Sequence, residues 1–274
     1  MGDTAAEDGR PVRVWITGAS EGIGRAVAEQ FAAQGAALAL CARRPGPLQE
    51  AAERLKALGA SQVVTTTGDM GIREHLERFT ADAMEGLGGC DVLIHNAGGG
   101  GPGGIFELDD EAFEDDWHYA FEVNLMAPAR LARAAADALR ASRGVIIHVS
   151  SAWSRQPMEI TPPSYGTTKA GLNHLTMSLA RDLGGDGVRV VGVAPGPVWT
   201  ESWERDLHAE AREEGRDPED LRGDVRDRTG ADTSLNRPGE MVELARAIAW
   251  LASSEASFIT GTTVAVDGGY VRAI

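Results

Sequence analysis

Val12-Arg13-Val14-Trp15-Ile16-Thr17 is a short, largely apolar run with β-branched residues, and it stops at Gly18-Ala19-Ser20-Glu21-Gly22-Ile23-Gly24. Ile23, Val27 and Phe31 then recur on one helical stripe, with Gly35 near its end. Strand, Gly-rich turn and helix in this order make a cradle for phosphate. Glycines let the backbone approach a pyrophosphate, and the helix N-terminus supplies amides and the positive end of a dipole. The spacing, Gly-x-x-x-Gly-x-Gly, differs from the more familiar dinucleotide fingerprint. The same turn also serves as a tight strand-to-helix connection that binds nothing.

The pattern repeats outward. Residues 37–41 read as a second strand, followed by Ala42-Arg43-Arg44-Pro45. Dinucleotide folds discriminate here: an acidic residue binds the ribose hydroxyls of NAD, whereas arginine pairs with the NADP phosphate. Arg43 and Arg44 favour NADP; Glu21 in the Gly-rich turn counts against it, since a carboxylate repels phosphate. An amphipathic helix over 48–58, a strand over 62–67 ending at Gly68-Asp69, a helix over 73–84 and a strand over 91–95 ending at Asn96-Ala97-Gly98 follow. Asp69 is either an adenine contact or a helix N-cap, or both. Repeated strand–helix units predict an α/β fold, a doubly wound parallel sheet with helices on both faces. Ligands in such sheets bind at the carboxyl ends of the strands, where Gly18, Arg43, Asp69 and Asn96 fall.

Further on, residues 98–104 are almost all glycine and read as a mobile loop at the mouth of the site. A long helical pattern over 109–140 is expected to break near Asn124 and Pro128. A fifth strand (144–149) closes on Ser150-Ser151, a helix spans 165–183, and a sixth strand spans 188–193 before the turn Pro195-Gly196-Pro197. The stretch 201–232 is crowded with acidic residues and arginines and shows little apolar periodicity. It reads as a helical lid or solvated insertion without a core of its own. An amphipathic helix (241–251) and a last strand (263–266) lead to Asp267-Gly268-Gly269. The expected organisation is a flexible tail (1–10) and one domain (11–274) with a lid at about 200–237.

Composition narrows the function. The 274 residues carry a net charge of −15, which argues against nucleic acid or an anionic membrane as partner. Two cysteines, Cys41 and Cys90, make no disulfide framework, and the six histidines show no metal-ligand spacing. The start is polar and lacks the apolar core of a signal peptide, so a cytoplasmic protein is expected.

Tyr165 and Lys169 stand four residues apart on one helical face. A phenol with a reference pKa near ~10 is a poor proton donor or acceptor at neutral pH, and a neighbouring ammonium lowers that value. Such a pair is a candidate proton-transfer device, although the spacing is common on solvated helices.

Taken together, Thr17-Gly-Ala-Ser-Glu-Gly-Ile-Gly24, Asn96-Ala-Gly98, Asn124, Ser151, Tyr165-x-x-x-Lys169, Pro195-Gly196, Thr260-Gly261 and Asp267-Gly268-Gly269 resemble the short-chain dehydrogenase/reductase family along nearly the whole chain. The resemblance implies a seven-stranded Rossmann-type parallel sheet, a nicotinamide cofactor and a homotetramer. In the family pattern Tyr165 gives or takes the substrate proton, Lys169 holds the nicotinamide ribose and lowers the Tyr pKa, Ser151 positions the substrate oxygen, and Asn124 supports a water linking Lys169 to solvent. The implied cofactor-binding set is Gly18, Ser20, Glu21, Gly22, Ile23 and Gly24 in the first turn. Arg43, Arg44, Asp69 and Met70 follow the next two strands. Asn96, Ala97 and Gly98, then Tyr165 and Lys169, and finally Pro195, Gly196, Val198 and Thr200 complete it.

Three features depart from the pattern: His95 stands where an Asn is common, read as a small backbone-packing change; Ser151 and Tyr165 are one residue further apart than usual, with Ser154 a conceivable substitute donor; and the acidic 201–232 stretch, variable within the family, is expected to form much of the substrate pocket, so the resemblance does not carry a substrate over. Trp153, Met158, Trp199 and Trp203 are expected near the substrate and suit an apolar ketone, cyclic ones included, unless two of the tryptophans only pack the lid. The expected function is an NADPH-dependent carbonyl reductase. The alternatives are an NAD-linked secondary-alcohol dehydrogenase, a 3-oxoacyl carrier-protein reductase docked through Arg143 and Arg181, and a dinucleotide-sensing protein without chemistry.

Overall fold

A computed structural model describes residues 9–101, 104–157 and 162–272. The first half runs β1 (Arg13–Thr17), α1 (Gly22–Ala32), β2 (Ala37–Ala42), α2 (Pro45–Leu58), β3 (Gln62–Thr67), α3 (Arg73–Leu87), β4 (Val92–His95), α4 (Asp110–Phe121), α5 (Ala127–Ser142) and β5 (Val145–Val149). The second half runs α6 (Pro163–Leu183), β6 (Arg189–Pro195), β7 (Val198–Trp199), α7 (Glu201–Glu214), α8 (Pro218–Ala231), β8 (Gly239–Glu240), α9 (Met241–Ala252) and β9 (Thr262–Val266).

Seven strands form one parallel sheet in the order β3-β2-β1-β4-β5-β6-β9, as expected, while β7 and β8 pair separately. The largely apolar runs of the central strands β1, β2, β4, β5 and β6 follow from burial on both faces. Side chains alternate along each strand. Val14, Ile16, Leu38 and Leu40 therefore meet Val27 and Phe31 of α1 and Ile248 of α9. Trp15, Ala39, Cys41 and Ile146 face the other way, against Phe79 of α3 and Leu131 of α5. Cys41 is a core residue, its thiol pushed up to about 12 chiefly by burial. Strand order reverses between β1 and β4, which opens a crevice at their carboxyl ends.

The interruption expected near Asn124 and Pro128 is a π-helical turn, Glu122–Met126, that carries Asn124 and joins α4 to α5, with Pro128 in the first turn of α5. Several local expectations need correcting. The 201–232 stretch does bury a core: Leu207 and Ala211 of α7 recur one turn apart and meet Leu221 and Val225 of α8, with Trp199 and Trp203 packed against them. Dense charge between those positions hides the stripe. The loop after β4 is pinned in its first half, since the Gly99 N–H and C=O both bond to Asn124 and the Gly101 N–H to Asp116. Of the expected flexible tail, Arg10 is anchored by Asp91, with N–O distances of 2.6 and 2.9 Å.

No helix among the described residues is long and apolar enough to cross a membrane.

Candidate active site

The β1–α1 turn is built for close backbone approach. Gly18 has φ +66, and a Cβ on it would lie 2.8 Å from Asn96 Nδ2. Asn96 stitches β4 to this turn: its amide donates to the carbonyls of Thr17 (3.2 Å) and Gly18 (3.0 Å). The N–H groups of Asn96 and Ala97 both donate to Thr17 Oγ1. Thr17 was not singled out as a site residue, although its place at the end of β1 was the available signal. Gly22 and Gly24 shape the start of α1 and are not among the residues lining the two cavities described next.

A cleft of about 120 Å³ opens beside the turn, lined by Ser20, Glu21, Arg43 and Arg44, and also by Asp69, Met70 and Ala97. Asp69 is not a helix N-cap. Its carboxylate accepts from the Gly71 N–H two residues on, and from the Tyr119 hydroxyl at 3.4 Å; the N-cap of α3 is Ile72. Tyr119, on α4, also accepts from Arg43 at 3.3 Å, and no sequence signal pointed to it. Glu21 does not stand alone against phosphate: it is ion-paired to Arg44 (2.5 Å) and Arg205 (2.8 Å). The Arg205 hydrogen bond is the chief cause holding its carboxyl below the usual value.

Gly98 joins this cleft to a larger cavity of about 670 Å³. Ser151, Tyr165 and Lys169 face that cavity together, with Ile23 and Asn96 at its floor and Pro195, Gly196, Val198 and Thr200 along the β6–α7 connection. Asn124 stands behind them, fully buried, donating to Gly99 O (2.6 Å) and Thr168 Oγ1 (3.1 Å). Lys169 is buried, with Nζ donating to Val149 O at 2.8 Å and lying 5.5 Å from the centre of the Tyr165 ring. Burial lowers the Lys169 pKa to about 7. Burial also raises the Tyr165 phenol, opposed by a hydrogen bond with Ser151. The expected lowering of the phenol by Lys169 is not found: desolvation raises it, and the opposing influence is the Ser151 hydrogen bond. Ser154 is no substitute donor: its hydroxyl donates to Ser151 O and accepts from Asn173.

His95 is more than a backbone-packing change. It is fully buried, both ring nitrogens lack a hydrogen-bond partner, and it lies edge-on to His148 with centroids 6.4 Å apart. Burial holds both imidazoles in the neutral form.

Trp153 packs edge-on to the Tyr165 ring and lines the cavity, as does Trp203. Trp199 does not line it. It stacks on Trp203 at 4.8 Å and donates to Glu204, so it belongs to the small core of the 200–237 segment. Met158 lies outside the described residues. The segment also brings to the cavity Ser202, Asp206, Thr229 and Asp232, which sequence periodicity gave no means of placing.

Gly98 tests this geometry. A Cβ there would lie 2.7 Å from Asn124 Oδ1 and 2.9 Å from Lys169 Nζ. Gly98→Ala is expected to lower kcat by about 10²-fold, as misplacement of a positioned group does, with the melting temperature little changed. A wild-type rate in this variant contradicts the arrangement.

A family model described as Enoyl-(Acyl carrier protein) reductase matches residues 18–271. The chain is 33% identical over 255 residues to the 3-oxoacyl-(acyl-carrier-protein) reductase of Escherichia coli (strain K12), covering 93% of this chain and 95% of that one. It is 31% identical over 272 residues to a glucose 1-dehydrogenase of Gluconobacter oxydans (strain 621H), covering 94% and 91%. Among solved structures, L-sorbose reductase from Gluconobacter frateurii, complexed with NADPH and L-sorbose, is similar with a TM-score of 0.89 at 32% identity, covering 99% of this chain and 100% of that one.

Proposed function

The chain belongs to the short-chain dehydrogenase/reductase family, whose members are NAD(P)-dependent oxidoreductases acting between CH–OH and C=O, and from that premise we propose an NADPH-dependent carbonyl reductase. The observation that carries the reading is the convergence of Tyr165, Lys169 and Ser151 on one cavity, with Asn124 bonded behind them. Residues 11–274 act as one domain, and 200–237 serves as its lid.

The cradle suits a dinucleotide. Bare backbone at Gly18 and Gly98 gives close approach, the α1 N-terminus offers amides, and Arg43 and Arg44 border the adenosine-side cleft. Bound nicotinamide supplies the hydride. The residues then act on the oxygen: Ser151 orients the carbonyl by a hydrogen bond, and Tyr165 donates its proton as alkoxide character develops. Lys169 holds the ribose, and Asn124 keeps the Lys169 side in place through Gly99 and Thr168.

The aromatic walls, Trp153, Trp203 and Tyr270, favour a ketone with an apolar body, cyclic ketones included. A second reading is a hydroxylated ketone. It is favoured by Asp206, Asp232, Ser202 and Thr229 on the lid side, which can accept from hydroxyls, and by the likeness to L-sorbose reductase. Lys169 is the sole cation lining the cavity among the described residues, and the net charge is −15; both disfavour an anionic substrate or an acidic carrier protein. Two free buried cysteines suit a reducing cytoplasm. Exposed Phe121 and Met177, on or beside the helices that hold Asn124 and Tyr165, suit burial between copies in a homotetramer.

The test is loss of reduced-nicotinamide absorbance with NADPH, then NADH, across cyclic, aromatic, polyhydroxylated and 3-oxoacyl ketones, with dissociation constants for both cofactors. NADPH-dependent turnover is expected. Tighter binding and faster turnover with NADH would favour the NAD-linked dehydrogenase. Binding without turnover on any ketone would favour the sensor reading.

A further inference from the structure

Glu21 and Arg25 stand one helical turn apart at the start of α1, and Glu201 and Arg205 stand one turn apart at the start of α7. The two pairs cross. Arg205 donates through Nη1 and Nη2 to the two oxygens of Glu21, at 2.8 and 3.0 Å. Arg25 pairs with Glu201, whose second oxygen accepts from the Gly22 N–H at 2.9 Å. Arg44, at the end of β2, also reaches Glu21. The first residues of the lid are thus clasped to the Gly-rich turn by charges of both signs.

This arrangement bears on the conflict between Glu21 and Arg44. A carboxylate at the rim of the adenosine-side cleft would repel a phosphate and would occupy the arginine meant to bind it. Arg205 arrives from a different element and offers Glu21 a bidentate partner. With it in place, three arginines face two glutamates across the clasp, and the rim is left positive. Next to it, Arg43 makes no carboxylate pair among the described residues, its contact being the Tyr119 hydroxyl.

We propose that Arg205 is a specificity-determining residue for the 2′-phosphorylated dinucleotide: from the lid it gives Glu21 a second, bidentate partner, so that the carboxylate stays neutralised when Arg44, paired with it at 2.5 Å in this structure, turns to the phosphate beside Arg43. Lid position and cofactor choice are then linked, because the residue that removes the repulsion belongs to the lid. The inference rests on the NADPH reading above and names a residue outside the family's Gly-rich turn and second strand as its determinant.

The test uses the full chain as wild type, Arg205→Met, Arg205→Lys, Glu21→Gln and the Glu21→Gln/Arg205→Met double variant, with dissociation constants for NADPH and NADH from nicotinamide fluorescence. Arg205→Met is expected to raise the NADPH constant about tenfold, the size of a lost charge-assisted contact, and the NADH constant less than about threefold. Arg205→Lys keeps the charge and retains most of the selectivity. The double variant returns the NADPH constant to within about threefold of wild type, because no carboxylate remains to be neutralised; such non-additivity is the signature of a direct pair. Equal weakening of both cofactors in Arg205→Met, or no recovery in the double variant, would overturn the proposal. The wild-type NADPH/NADH ratio reads the cofactor assignment separately. A wild type preferring NADH overturns that assignment, whereas a selectivity lost in Arg205→Met and restored by Glu21→Gln supports the role of Arg205 whatever the wild-type ratio.

Discussion

Tyr165→Phe is expected to lower kcat/KM for carbonyl reduction by about 10³-fold, within the range for loss of a positioned general acid and equivalent to about 4 kcal/mol of transition-state stabilisation. The ring stays, so its edge-on contact with Trp153 and its packing near Lys169 are retained, and NADPH binding is expected to change little. What disappears is the phenolic O–H hydrogen-bonded with Ser151 at the cavity. The pH dependence follows from the direction of the phenol's shift. Burial raises its pKa above the ordinary ~10, so the protonated, donating form persists through neutral and mildly alkaline pH. The phenol by itself would hold reduction steady into strong alkali, but loss of the Lys169 charge as pH rises through about 7 should lower the rate above neutrality, whereas alcohol oxidation, which needs the phenolate, should rise with pH. Steady-state rates in both directions check this. A variant retaining more than about a tenth of wild-type reduction would remove Tyr165 from the role of acid.

Lys169→Met should separate function from stability. Activity is expected to fall by about 10²-fold or more, because a cation and hydrogen-bond donor are lost beside the reacting groups. Stability should move the other way. Lys169 is 2% exposed, and burial brings its pKa to about 7. Between that value and the ordinary ~10.4 the unfolded chain binds more protons than the folded one, so this group makes stability rise with pH across the window. Below about 7 the folded protein carries the full cost of a buried ammonium whose one hydrogen bond among the described residues is to Val149 O. Methionine fills similar volume without charge, so at about pH 6 the variant should melt about 2–4 °C higher than wild type, with the gap narrowing towards pH 9. Melting curves at the two pH values check it. A lower melting temperature at about pH 6 would mean that the Val149 bond outweighs desolvation.

The seven-stranded core was legible because its central strands β1, β2, β4, β5 and β6 are buried and carry largely apolar runs, and the edge strands β3 and β9 are rich in Thr and Val. Order and spacing of Gly18, Asn96, Ser151, Tyr165 and Lys169 were enough to bring these residues to one edge of the sheet. Three things were not legible, each for a physical reason. The π-helical turn at Asn124 has no propensity signature; it follows from Asn124 bonding to Gly99 and Thr168 across elements. The core of the 200–237 segment rests on few apolar positions, Leu207 and Ala211 against Leu221 and Val225, diluted by charge. The phenol's environment depends on burial, which a spacing of four residues does not report, so an expected lowering became a raising. The pairing of Glu21 with Arg205, across 184 positions, lies further still from any local pattern.

The central claim is that this cavity carries out hydride transfer to a carbonyl, with proton delivery from Tyr165. The most direct measurement is turnover with NADPH deuterated at the transferring position of the nicotinamide ring and a ketone the enzyme accepts, with mass and position of label read in the alcohol product. One deuterium on the carbinol carbon per oxidised NADPH, in a single stereoisomer, is the predicted result. Bound NADPH that is never oxidised by any ketone in the panel, or an alcohol product without label, would contradict it.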